Sequence, residues 1–291
     1  MPSIKEYNQK LKSLVNTRKI TKTMKMVAAS KLRKAFETQA NAKIYSKKLT
    51  ALISRLSAAV ETDLHPLLTQ RKTNAGILIL VMTSDRGLCG AFNHNVNNHV
   101  LRWLKDNASQ YPKIDLCFCG KRGYMFFQRR FEVKKHYQDT TAYPKFSDAK
   151  TIGGDLQRAF LNGEYDEVYL AHNQFINPLS QKMVFEKILP IDPQALSSDE
   201  LADKKADYLF EPPVDKLLEH LIPNFLYFRI YFALLENSAG EHGARMTSMD
   251  NATKNATELI SHYSLLRNRA RQAQITIELT EIVGGAEALN N

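Results

Sequence analysis

Cysteine is scarce in this chain. Cys89, Cys117 and Cys119 are the whole supply, an odd number without a C-x-x-C pair. That excludes a disulfide framework, argues against a thiolate zinc site and suits a reducing compartment. The eight histidines are scattered with no H-x-x-x-H pair, so no metal is expected. Twelve glycines and ten prolines are too few for a linker-rich chain. Long apolar runs are missing too. Ile77 to Met82 has strand length, and Phe225 to Leu235 is interrupted by Arg229. Both fall far short of the roughly 20 residues a spanning helix needs. The opening MPSIKEYNQK lacks the apolar core of a signal peptide.

What is present is a globular composition, 44% hydrophobic and 24% charged over 291 residues. That is enough for one large domain or two ordinary ones. The net charge of +10 is unevenly spread. Residues 1–60 hold 14 Lys or Arg against Glu6 and Glu37, a local charge of +12. The remaining 26 basic and 28 acidic residues leave −2. The basicity therefore belongs to one element, whose partner would be nucleic acid or an acidic protein surface.

That element reads as one long helix. From about Ser3 to Val60 there is neither Pro nor Gly. Alternate steps of three and four from Ile4 reach Tyr7, Leu11, Leu14, Ala28, Leu32, Ala35, Ala42, Leu49, Ile53, Leu56 and Val60. In all, 12 of the 17 stepped positions are apolar. The polar steps cluster at Arg18, Thr21 and Lys25, so this is a heptad seam with a polar interruption. A helix of roughly 85 Å at 1.5 Å per residue needs a long partner. Residues from about Val214 to Leu289 supply one, with Pro223 expected to kink its start. The same stepping there gives Ala252, Ala256, Leu259, Tyr263, Leu266, Ala270, Ala273 and Ile277, before Thr280, Gly284 and Glu287 break the seam. The two helices lie at opposite chain ends, so an antiparallel pair is expected, although periodicity alone leaves parallel pairing open.

Between them the pattern changes. Strands are expected at Gly76–Met82, Ile114–Cys119, Glu132–His136, Glu167–Gln174 and Lys182–Leu189. Helices are expected at Phe92–Asp106, Gly123–Gln128 and Asp148–Asn162. Alternation of this kind predicts a Rossmann-like α/β domain with a mostly parallel sheet. Residues 191–213, with Pro193, Pro212 and Pro213, read as a connector. The expected division is residues 1–60 as a coiled-coil helix, 75–205 as a central α/β domain and 212–291 as a helix pairing with 1–60.

The turn after the first strand, Thr83-Ser84-Asp85-Arg86-Gly87-Leu88-Cys89-Gly90-Ala91-Phe92-Asn93, is the best candidate for chemistry. Doubly wound folds bind phosphates at such turns. It matches neither G-x-G-x-x-G nor the P-loop, and no Lys follows to reach a phosphate. A tight turn with a helix start is the favoured reading, and Cys89 with no His closer than His94 reads as structural rather than nucleophilic. Composition and spacing lead to a coiled coil plus an α/β domain, basic at one end, with no catalytic, cofactor or metal residue. A basic coiled coil that binds nucleic acid is the alternative, although no reading motif accompanies the charge.

Three blocks reach further. Residues 17–34 read TRKITKTMKMVAASKLRK, residues 83–93 read TSDRGLCGAFN, and residues 244–289 read ARMTSMDNATKNATELISHYSLLRNRARQAQITIELTEIVGGAEAL. Together they resemble the gamma-subunit family of the rotary F-type ATP synthases, in order and over nearly the whole chain. Asn173-Gln174-Phe175-Ile176-Asn177 resembles that family's sheet-domain strand. Thr23 stands where the family usually has Ala, and Leu266-Arg267-Asn268 replaces a common Tyr-Asn step. No cysteine insertion of the plant chloroplast kind is visible, and a chain opening directly on the helix resembles the bacterial form.

The resemblance implies a non-catalytic subunit of an ATP synthase. It would be a central shaft coupling transmembrane proton flow to conformational cycling of the catalytic β subunits. Partners would be the α and β subunits of the catalytic ring, a small epsilon subunit on the α/β foot, and the membrane ring of c subunits, with no nucleic acid. The place would be the cytoplasmic face of the bacterial inner membrane, held through the complex. Residues at positions of ring contact would be Met24 and Lys25 beside an acidic β lever, Arg86 and Cys89 in the turn, and Arg245, Arg271, Gln272 and Thr276 on the last helix. No cofactor is implied.

Overall fold

The structure is a computed structural model that describes residues 3–58, 65–70, 75–192 and 214–289. It divides into two compact units. One comprises Met1–Ala28 with Met246–Asn291, the other Ala29–Arg245. The chain runs α1 (Ile4–Ala58), β1 (Ile77–Met82), α2 (Phe92–Asn107), β2 (Ile114–Cys119), α3 (Lys121–Phe127) and β3 (Val133–Tyr137). Then follow α4 (Phe146–Leu161), β4 (Glu167–Asn177), β5 (Ser180–Leu189) and α5 (Val214–Leu289). Every expected element is present within a few residues of its expected bounds. Val60, and the connector from residue 193 on, lie outside the described residues.

In the larger unit the five strands form one sheet in the order β3-β2-β1-β4-β5. The first four are parallel, and β5 folds back antiparallel on β4. The hairpin between them is tight because Asn177 Oδ1 accepts the Leu179 and Ser180 N–H groups at 2.9 and 2.8 Å. β1 is buried along its whole length, as expected for a central parallel strand covered on both faces. Its alternate residues feed two cores. Ile77, Ile79 and Val81 pack with Val96, Val100 and Leu104 of α2. Leu78, Leu80 and Met82 pack with α4, with Leu49 and Ile53 of α1, and with Leu226, Ile230 and Leu234 of α5. Each such side chain contributes about 1.5–3 kcal/mol when fully buried. Two glycines are sterically required. At Gly120, φ is +93° and a Cβ would stand 2.3 Å from Thr83 O. At Gly153 of α4 a Cβ would stand 2.4 Å from Tyr227 Cδ1 of α5, so this glycine sets how closely those helices approach.

α1 and α5 run antiparallel in both units. In the smaller unit Tyr7 meets Tyr263 (ring centroids 6.4 Å apart), Thr21 meets Thr253, and Lys25 meets Asp250. In the larger one Gln39 meets Glu236, and Tyr45 meets Phe228 with centroids 4.6 Å apart. Rising numbers on α1 thus pair with falling numbers on α5, which decides the orientation that periodicity left open. α5 continues through Pro223. Through Ile53 the α1 seam follows the expected steps, and its polar interruption stays inside it: Thr21 is buried, and Arg18 and Lys25 are half-buried.

The α5 seam departs from expectation. Ile260, not Leu259, is the half-buried residue, and every side chain from Arg271 to Ala286 is exposed. The expected seam reached Ile277, but its packing ends at Ala270. The reason lies in the register. Tyr7 already pairs with Tyr263, so the described helix α1, which begins at Ile4, reaches only about one turn further along α5.

Candidate functional site

In an open parallel sheet, ligands bind outside the carboxyl ends of the strands where the strand order reverses, here between β1 and β4. The Thr83–Asn93 turn sits at that end of β1, and its polar groups are spent on one another. Ser84 Oγ donates to Arg86 O at 2.6 Å, and the Ser84 N–H reaches Asn93 Oδ1 at 2.8 Å. Asn93 Nδ2 donates to Ser84 Oγ and to Cys89 Sγ. Asp85 accepts the Lys121 N–H on one carboxylate oxygen and the Thr141 hydroxyl on the other. A carboxylate with both oxygens so engaged is a clasp rather than a general base. Cys89 is buried, and that burial raises its thiol pKa. It is not a nucleophile at neutral pH.

α5 closes what remains of this end of the sheet. Asn237 Nδ2 donates to Thr83 O at 3.2 Å. The Arg245 guanidinium donates to Arg86 O and to Gly87 O at 3.1 and 3.2 Å, and it pairs with Glu241 at 2.7 Å. Burial raises the Glu241 pKa against the pull of Arg245. The neighbouring His242 is pushed down to about 4 by burial, by Arg245 and by Lys31. The turn is thus plugged by helix. The larger side chains it shows to solvent are Arg86 and Leu88, the latter 63% exposed with φ +63°.

The smaller unit carries two different surfaces. Val15, Arg18, Lys19, Lys22 and Lys25 of α1 and Asp250, Thr253 and Thr257 of α5 line a groove of about 520 Å³. Asp250 is bonded by Lys25 at 2.6 Å and by Lys254 at 3.3 Å, which lowers its pKa. One carboxylate among those cations leaves the groove strongly positive. Beyond it, the bare end of α5 exposes Arg271, Gln272 and Thr276 together with Ile275, Ile277, Leu279, Ile282 and Val283.

The family resemblance implied eight contact residues. The structure gathers Arg86, Cys89 and Arg245 at one turn, with Cys89 and Arg245 buried and Arg86 exposed. Met24 and Lys25 stand half-buried on α1, and Arg271, Gln272 and Thr276 are exposed on α5. Sequence reasoning missed Asn237, Glu241 and His242, which plug the sheet, and Asp250. The signal was available in Glu236-Asn237-Ser238-Ala239-Gly240-Glu241-His242-Gly243-Ala244-Arg245, a helical stretch with polar groups and tiny side chains but no large apolar one. Among the described residues no group of three or more His, Cys, Asp or Glu could hold a metal ion, and no helix is long and apolar enough to cross a membrane.

The family described as ATP synthase has a model that matches residues 3–289. The ATP synthase gamma chain of Geobacter sp. (strain M21) is 40% identical over 289 residues, covering 99% of each chain. That of Anaeromyxobacter sp. (strain K) is 43% identical over 293 residues, covering 99% of this chain and all of that one. This chain belongs to the ATP synthase gamma-chain family. Its fold is also that of a chain in the Euglena gracilis mitochondrial ATP synthase OSCP/F1/c-ring structure, with a TM-score of 0.65 and 22% identity over 98% of this chain and 94% of that one. A chain in the Tetrahymena thermophila mitochondrial ATP synthase central stalk and c-ring structure is similar as well, with a TM-score of 0.60 and 24% identity over 80% and 99%. Members of the gamma family are non-catalytic subunits, which agrees with a plugged sheet end. The nucleic-acid alternative gains no support from any of these relatives.

Proposed function

We propose that this chain is the central shaft of a rotary ATP synthase, passing rotation driven by transmembrane proton flow to the catalytic β subunits. The observation that carries the reading is the bare end of α5. A helix that leaves its own partner at Ala270 and exposes isoleucines at 47–67% beyond it needs a surrounding wall. Family membership over residues 3–289 supports reading that wall as a ring of α and β subunits. Arg271, Gln272 and Thr276 would touch it directly.

The positive groove containing Lys25, with Met24 beside it, fits an acidic lever on β. Complementary charge of this kind favours encounter and orientation more than raw affinity. Exposed pairs contribute on the order of 1 kcal/mol or less each, so no single one would stall rotation. At the turn, Arg86 would make the contact, while buried Cys89 and Arg245 would hold its shape. The working division is residues 1–60 and 212–291 as the shaft and 75–205 as the foot. The foot would meet the epsilon subunit and the ring of c subunits at the cytoplasmic face of the bacterial inner membrane. A shaft shifts a β subunit only as far as it binds one conformation better than another. A single asymmetric chain therefore holds three catalytic sites in three different states.

The test is charge reversal. Lys22→Glu, Lys25→Glu and Lys31→Glu together should weaken assembly or coupling in the reconstituted complex while the α/β unit stays folded. Unchanged ATP-driven ion pumping would refute electrostatic docking. Tight, stoichiometric ATP binding by the purified chain would refute the shaft reading itself.

A further inference from the structure

Between α1, the β4–β5 hairpin and α5, the larger unit has a half-open cavity of about 270 Å³. Leu49 of α1 and Phe225, Phe228 and Phe232 of α5 supply its apolar wall. Its charged groups are Glu186, Arg229 and Glu236, with His172 beside them. Arg229 and Glu186 close on each other, through contacts of 3.0 and 3.4 Å to the two carboxylate oxygens. That pair is internally neutral.

Glu236 is the group left over. It is buried, 5% exposed, and its contacts are long: Gln39 Nε2 at 3.4 Å and His172 Nε2 at 3.3 Å. Gln39 is neutral, and the other ring nitrogen of His172, Nδ1, has no hydrogen-bond partner among the described residues. A buried carboxylate is costly unless a cation or several good donors meet it. Here it borders a cavity walled by three phenyl rings, whose faces attract positive charge.

We infer that this cavity is a binding site for a small organic cation, an ammonium group on a compact apolar or aromatic body. The ammonium would sit against Glu236 and the body among Phe225, Phe228 and Phe232. A bare metal ion does not suit the site, because one carboxylate, held only by long contacts, and one imidazole give too few ligands. An anion does not suit it either, because the one guanidinium is already taken by Glu186. Such a ligand would touch α1, the sheet and α5 at once and so brace the three together. The site is separate from the groove and helix end on which the shaft reading rests, so either stands or falls without the other.

The experiment titrates the purified full chain with benzylammonium, with benzyl alcohol as the uncharged analogue and benzoate as the anionic one. Calorimetry gives the affinity, and methyl shifts of Leu49 and Val184 locate the site. Saturable benzylammonium binding that shifts both methyls, at least tenfold tighter than benzyl alcohol and with no benzoate binding, supports the site. Glu236→Gln should abolish the preference for the cation. Phe232→Trp, which fills the cavity and keeps the carboxylate, should abolish binding of both. Equal affinity for benzylammonium and benzyl alcohol, binding unchanged in both variants, or no saturable binding at all would each overturn the inference.

Discussion

Lowering the pH from 7 to 5 should destabilise this chain through His242. The imidazole is 4% exposed, its Nδ1 lies 3.4 Å from Arg245 Nη1, and Lys31 adds a second positive charge nearby. In the folded chain it takes a proton only at about pH 4, against 6.5 when unfolded. Above pH 6.5 both states hold it neutral, and it contributes nothing to pH dependence. Below 6.5 the unfolded chain gains a proton that the folded chain refuses, so stability falls as pH falls, with the full loss reached below pH 4. One pH step in that window is worth about 1.4 kcal/mol, which gives a loss of about 2 kcal/mol at pH 5 and about 3 kcal/mol at the acid limit. Glu241 works in the opposite direction. Its pKa is raised by burial, so acid relieves the cost of its charge. The measurement is therefore a difference: urea denaturation at pH 7 and pH 5 for the native chain and for His242→Asn, whose amide oxygen can accept where Nδ1 does. The variant should lose about 2 kcal/mol less than the native chain across that interval. Equal losses would refute the reasoning.

Arg245→Ala should cost about 3–5 kcal/mol in thermal or urea denaturation, because it leaves the Glu241 carboxylate buried without its cation. Adding Glu241→Gln should recover part of that, and simple additivity of the two changes would count against the pairing. Gly153→Ala should cost about 1–3 kcal/mol by forcing α4 and α5 apart, since the Tyr227 hydroxyl donates to Gln157 Oε1 at 2.6 Å and holds the ring in the way. Ending the chain after Ala270 should change stability by less than about 0.5 kcal/mol, because the removed side chains through Ala286 are exposed. The same truncation should lower ATP synthesis in the reconstituted complex, and full synthesis with the shortened helix would count against its role at the ring.

Much of the fold was legible because its signals are local and periodic. The three-and-four stepping from Ile4 traced the α1 seam, polar positions included, since a helical period survives single polar substitutions. The continuous apolar run of β1 announced a strand covered on both faces. What the sequence did not disclose depends on pairing. The α5 seam was misjudged at Leu259 and beyond Ala270 because the end of packing is set by where α1 begins, which no window on α5 contains. The antiparallel course of β5 follows from the hairpin at Asn177, a feature of a single side chain. The plug was overlooked for a third reason, although its small-residue stretch was there to be read. Asn237, Glu241 and Arg245 recur every four residues and read as an ordinary solvated stripe, and only the sheet end they meet makes them interior.

That four-residue spacing has a mechanical meaning. Greasy packing is non-directional and lets a helix roll about its own axis with little resistance. The amide of Asn237 and the planar fork of Arg245, about two turns apart on one helix face, are aimed at named carbonyl oxygens. Donors of fixed geometry tolerate little angular error. Within the larger unit α5 is therefore keyed to the turn after β1, and a twist applied to the helix must break directional bonds before it can slip.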